Sequence, residues 1–111
     1  MEFDEYQKLA TRTATFDGKQ KEYQLMYLTL GVTGEAGEIA EKVKKLVRND
    51  DGAISDEKRD ELKSEIGDVL WYLSQLSRVL GLDFSIVAQA NIDKLADRAA
   101  RGVIKSTGDN R

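Results

Sequence analysis

The sequence contains no cysteine and no histidine. The first absence removes disulfides, thiolate metal ligands and cysteine nucleophiles. The second leaves no imidazole for a catalytic triad, for general-base work near neutral pH or for a typical zinc site. Any chemistry therefore falls to carboxylates, Lys, Arg, hydroxyls and water. Proline is also absent, so nothing removes a backbone donor from inside a helix, and long uninterrupted helices are favoured. No apolar run is long enough to span a bilayer, and Met1-Glu2-Phe3-Asp4-Glu5 is acidic where a secretory leader would be basic. A cytoplasmic location without a membrane partner is the expectation. A basic excess is missing too: 17 bases stand against 20 acids, a net charge of −3, so no nucleic acid polymer is expected as a partner. The 111 residues present, 41% hydrophobic and 33% charged, suit one domain with one core and a well-charged surface.

Apolar periodicity divides the chain into four helices. Phe3, Tyr6, Ala10 and Thr13 make a thin stripe over residues 2–14, which Thr15–Gly18 breaks. A long second helix spans about 19–47, with Leu25, Leu28, Val32, Ala36, Ile39, Val43 and Leu46 at helical spacing. Gly31, Gly34 and Gly37 interrupt it, each at up to ~1 kcal/mol against alanine. A close approach by a neighbour or ligand, or a bend, would account for them. The third helix starts at Ser55 or Asp56, either of which can cap it, and runs to Leu80, with Gly81 as its stop. Its stripe is Leu62, Ile66, Val69, Leu70, Leu73, Leu76, Ser77 and Leu80. Asp83 is placed to cap a fourth helix over about 84–101, whose Phe84, Val87, Ala88, Ile92, Leu95 and Ala99 face inward until Gly102 ends it. The polar tail 103–111 is either disordered or a short closing flap. No repeat, low-complexity tract or interdomain linker divides the chain. The expectation is a single all-α domain over 1–111, a four-helix bundle whose two central helices are antiparallel.

Those central helices carry the informative residues. Glu35 and Glu38 are three apart on the second helix; Glu65 and Asp68 are three apart on the third. Residues at that spacing share a helix face. The two pairs are centred in sequence on the turn signal Asn49-Asp50-Asp51-Gly52. Each lies roughly 11 residues from the turn, or about 16–18 Å along its arm, so closing the hairpin brings all four acids to one level. Both pairs border an apolar stripe, with Lys42 on the line of the first and Tyr72 on the line of the second. A solvated outer face would instead oppose the core. Four facing carboxylates repel, and partial burial raises that cost. A hard divalent cation, Mg2+ or Mn2+, relieves it. On the fourth helix Asn91, Lys94 and Arg98 share one sector and suit phosphate, although cations also suit a helix C-terminus for the dipole alone. Phe16, Trp71 and Tyr72 suit core or subunit contacts better than base stacking. Phe3, Tyr6 and Trp71, which lies away from both the acid line and the core stripe, point to a subunit contact, with residues 1–16 on a neighbouring chain or over the substrate.

These segments resemble the MazG-like nucleoside triphosphate pyrophosphohydrolases, in an all-α superfamily shared with dimeric dUTPases and phosphoribosyl-ATP pyrophosphohydrolases. The resemblance lies in Gly34-Glu35-Ala36-Gly37-Glu38-Ile39-Ala40-Glu41, in Glu65-Ile66-Gly67-Asp68-Val69-Leu70-Trp71-Tyr72-Leu73, and in Asn91-Ile92-Asp93-Lys94-Leu95-Ala96-Asp97-Arg98. It spans about residues 20–100. One departure is Gly34, where many members carry an acid; whether Glu41, two turns later, substitutes for it stays open. The resemblance implies hydrolysis between the α- and β-phosphates of a nucleoside triphosphate. It implies Mg2+ on Glu35, Glu38, Glu65 and Asp68, proton abstraction from water by a carboxylate such as Glu38, and Asn91, Lys94 and Arg98 on the polyphosphate. It also implies a homodimer or homotetramer with pockets lined by more than one chain. Two alternatives stay open: the same cleavage on phosphoribosyl-ATP, and a helical interaction module whose acids bind a structural cation or nothing.

Overall fold

The computed structural model describes residues 1–102, and the expectations for the tail 103–111 lie outside them. Four α-helices, and no strand among the described residues, make an all-α domain: α1 Phe3–Ala10, α2 Lys21–Asp50, α3 Asp56–Val79 and α4 Phe84–Ala100, with a 3-10 turn at Thr11–Thr13 after α1. Antiparallel α2 and α3 are the central pair. Asp51 and Gly52 reverse the chain between them with φ of 53° and 80°, a conformation that Asp tolerates and Gly adopts freely. Ser55 caps α3, its Oγ accepting from the Lys58 N–H at 3.2 Å. Gly81, at φ 75°, ends it: the Leu82 N–H bonds the Ser77 carbonyl at 2.8 Å and the Gly81 N–H that of Arg78 at 2.9 Å, the two reversed bonds of a glycine-terminated helix.

The ends of α1 and α4 are joined by polar groups that an apolar stripe does not reveal. Gln7 is buried on α1. Its Nε2 donates to the Ser74 and Leu82 carbonyls at 3.0 and 3.1 Å, and its Oε1 accepts from the Phe84 N–H at 3.1 Å. Asp83 occupies the cap position of α4 but makes no side-chain cap bond. Asp4 does that work from α1, accepting from the Ser85 N–H and Oγ at 2.7 Å each. Those bonds hold the Asp4 carboxyl below its usual range. Phe84 is buried against the rings of Phe3 and Tyr6, at 5.3 and 6.4 Å.

Trp71 is likewise held inside its own chain. Its indole N–H bonds the Ala10 carbonyl at 3.1 Å and Thr13 Oγ1 at 2.9 Å, while its ring lies edge-on to Phe16 and Tyr72. Phe16 is buried beneath Arg78, whose guanidinium also pairs with Asp17 at 2.7 Å. The first sixteen residues therefore dock on this chain's own α3 and α4, which removes the reason for placing Trp71 at a subunit contact, while Phe3 stays 48% exposed.

The inward stripe expected of α4 is also corrected. Phe84 is buried, but Val87, Ile92 and Leu95 are exposed, as are Ile66, Leu73 and Leu80 of α3 and Val43 of α2. The periodicity marks the apolar face, and within one chain only part of that face finds a cover.

Candidate active site

The α2–α3 register sets the site. Glu35 on α2 and Glu65 and Asp68 on α3 converge so that one carboxylate oxygen from each lies within 4.8 Å of the others. Glu35 and Glu65 are half-buried and Asp68 is exposed. The Glu35 carboxyl is pushed above its usual range, first by burial, then by the charges of Asp68, Glu65 and Glu38, and by a hydrogen bond to Glu65. Such a bond forms only when one of the two carboxyls carries a proton, which is one way to relieve the repulsion. A hard cation with oxygen ligands does the same without a proton, and the chemistry of the donor set fits Mg2+ or Mn2+.

Glu38 stands one turn further along α2. It is exposed and is not among the converging oxygens, but its charge contributes to the rise at Glu35. Glu41 pairs with Lys44 at 3.1 Å and Lys45 at 3.8 Å, which hold it below its usual range and away from the cluster. Lys42 reaches across to Glu65 at 4.0 Å and brings positive charge to the edge of the site.

On the other side the acids meet phenols. Burial and the Asp68 charge push the Tyr6 phenol up. The Tyr72 phenol is pushed up to about 12, first by a hydrogen bond with Tyr27, then by burial and the charges of Tyr27, Glu35 and Asp68. Both stay protonated at neutral pH and add no charge. Tyr72 also resolves one of the three glycines of α2: a Cβ on Gly31 would run into its ring, whereas at Gly34 and Gly37 a Cβ would meet nothing within 4 Å. Close approach accounts for Gly31 and, within this chain, for neither of the others.

Asn91 and Lys94 line a separate open cleft of about 400 Å³ with Leu82, Ile86, Val87 and Ala90, and Arg98 is half-buried further along α4. None of the converging acids lines the cleft that holds Asn91 and Lys94. The sequence placed Tyr6 only with residues 1–16, on a neighbouring chain or over the substrate, and gave Tyr27, which bonds the Tyr72 phenol, no role. Tyr27 carries a signal, four residues before Gly31 on the same helix face; Tyr6 carries none, because α1 reaches the site through tertiary contacts.

The raised Glu35 carboxyl has a consequence for stability. A folded-state value above the unfolded one means the folded chain binds the extra proton. The associated stability is complete below the ordinary glutamate value, about 4.3, and is lost as pH rises through the folded value. Mg2+ competes with that proton. The Glu35 contribution to the metal-free protein, read as the difference between wild type and Glu35→Gln, should therefore fall as pH rises from about 4 toward neutrality, and added Mg2+ should stabilise the wild type more at pH 7.5 than at pH 4.5. Thermal melts of both proteins at the two pH values, with and without Mg2+, check this; equal increments at both would contradict a raised Glu35 carboxyl at the site.

Among the described residues no helix is long and apolar enough to cross a membrane. A family model described as MazG nucleotide pyrophosphohydrolase domain matches residues 24–103, which takes in all three acidic and basic segments. Among known proteins the chain is similar to the "Gene 37 protein" of Mycobacterium phage L5, at 48% identity over 114 aligned residues that cover 100% of both chains. No solved structure matches.

Proposed function

The chain belongs to the MazG nucleotide pyrophosphohydrolase family, and from that premise we propose that it hydrolyses (deoxy)nucleoside triphosphates to the monophosphate and pyrophosphate, with Mg2+ as cofactor and Mn2+ as a substitute. Clearing unwanted triphosphates from the nucleotide pool is the role this reaction suits. The observation that carries the reading is the convergence of Glu35, Glu65 and Asp68 within 4.8 Å around a carboxyl that is already short of counter-charge.

Glu35, Glu65 and Asp68 are assigned to hold the ion, with Glu38 as a fourth ligand or as the base that takes a proton from the attacking water. Exposure of Glu38 leaves its side chain free to turn toward either task. The bound ion supplies positive charge for phosphate oxygens and lowers the pKa of a water. Asn91, Lys94 and Arg98 are assigned to the polyphosphate. Since the cleft of Asn91 and Lys94 shares no lining residue with the acids of the same chain, they are proposed to reach the substrate held by a second copy, in a homodimer or homotetramer. The exposed apolar residues of α2, α3 and α4 support that arrangement.

Pyrophosphate release from a panel of nucleoside triphosphates, with and without Mg2+, tests the reading. Metal-dependent release is expected from at least one of them; a metal-induced rise in melting temperature without turnover on any would return the chain to a non-catalytic module. Within the same assay Lys94→Ala should weaken triphosphate binding by about 1–3 kcal/mol, the loss typical of a bond to a charged group. Lys8→Ala, at an exposed position of α1, should leave binding near wild type, and equal small effects of the two would remove α4 from the substrate site.

A further inference from the structure

One close contact in the α2–α3 pair stands immediately beside the acids. Gly31 lies four residues before Glu35, and Tyr72 four residues after Asp68. In antiparallel helices both steps go the same way, so the two meet one turn, roughly 6 Å, from the carboxylates. A Cβ on Gly31 would overlap ring carbons Cδ1, Cε1 and Cζ of Tyr72: the ring lies directly on the α2 backbone. It has little room to leave. Tyr27 bonds its hydroxyl and stands edge-on to it at 6.0 Å, Trp71 stands edge-on at 5.0 Å, and Trp71 is itself tied to Ala10 and Thr13. Glycine in mid-helix is costly, and a smaller residue at position 72 would let alanine stand at 31.

We propose that the Tyr72 ring seated on Gly31 is a spacer that fixes the separation of α2 and α3 at the level of the acids, making Gly31 and Tyr72 positioning residues for the metal-holding carboxylates. The inference rests on the metal reading above and deepens it. Glu35 comes from one helix and Glu65 and Asp68 from the other, so the gap between their oxygens is set by the distance between the helices. A change of helix separation one turn away is passed to the cluster directly, because an ion tolerates little error in ligand distance. No part of the role needs the phenol hydroxyl to touch the ion.

Mn2+ binding to the full chain, measured with the metal alone by calorimetry or electron paramagnetic resonance, tests this, with circular dichroism reporting the fold. Gly31→Ala should keep its helical signal and bind Mn2+ at least about tenfold more weakly, the scale found when residues that orient metal ligands are changed. Tyr72→Leu, which removes the ring without a clash, should weaken binding likewise, and Tyr72→Phe, which keeps the ring, should restore it. In the double variant Gly31→Ala/Tyr72→Leu the losses should not add, because both act on one contact. A folded Gly31→Ala with wild-type Mn2+ affinity would overturn the spacer and leave the metal reading intact. If Gly31→Ala does not fold, wild-type affinity in Tyr72→Leu overturns it equally, as does a Tyr72→Phe as weak as Tyr72→Leu. Failure of the wild-type chain to bind Mn2+ would overturn the metal reading and the spacer with it.

Discussion

Glu35→Gln, Glu65→Gln and Asp68→Asn should each abolish turnover while raising the melting temperature of the metal-free protein. The two effects have opposite signs because the same charges serve two purposes. In the metal-free chain the three carboxylates crowd within 4.8 Å, and burial first, then their repulsion, pushes the Glu35 carboxyl up. Removing one charge relieves that repulsion. In a domain of roughly this size about 1 kcal/mol moves the melting temperature by about 4–8 °C, so even partial relief is readable. With substrate present the same change removes an ion ligand. The charge stabilisation lost is several kcal/mol, and at about 1.4 kcal/mol per tenfold the rate should fall by ~10³ or more. Glu41→Gln is the control. That side chain pairs with Lys44 and Lys45, so its loss should neither raise the melting temperature nor abolish activity. An Asp68→Asn enzyme at near wild-type rate would show that the convergence of the acids is not the catalytic centre.

A charge placed on the uncovered apolar surface should dissociate the proposed assembly and remove activity with it. Met26 on α2 is 63% exposed, Ile66 on α3 57% and Ile92 on α4 60%, together with Leu30, Leu73, Val87 and Leu95. Large apolar side chains exposed in this number suit a face that another chain covers. Light scattering at micromolar concentration should give at least twice the chain mass of 12.4 kDa. Met26→Glu and Ile92→Glu should each shift it to the single-chain mass, since an unpaired charge buried at such a contact costs several kcal/mol. Activity should fall in parallel, because Lys94 and the acids are proposed to reach one substrate from different chains. A monomeric wild-type protein with full activity would contradict the assembly and the shared site together.

The central hairpin was legible in the sequence because two independent signals agree there. Helical periodicity delimits α2 and α3, and Asp51 and Gly52 supply the two positive φ angles that the reversal needs. That register also puts Glu35 opposite Asp68. What was not legible has a common cause: it depends on polar groups acting across distant parts of the chain. Gln7 ties α1 to α3 and α4, and Trp71 is anchored by its N–H, so a thin apolar stripe understates how firmly α1 is held. The face of α4 was read correctly as apolar and wrongly as inward, since periodicity names a face but not its cover. Gly31, Gly34 and Gly37 look alike in sequence, and only the path of the Tyr72 ring separates the first from the others. The acid spacing gives four candidates; the rotation of each side chain about its helix decides that three converge and Glu38 stands apart.

The most direct test of the central claim is product analysis after hydrolysis in 18O-labelled water with Mg2+, using the nucleoside triphosphate that releases most pyrophosphate. The account predicts nucleoside monophosphate and pyrophosphate in equal amounts, one label per turnover, and no reaction once the metal is chelated or Asp68 is replaced by Asn. Release of orthophosphate with a nucleoside diphosphate, or turnover that survives chelation, would contradict it.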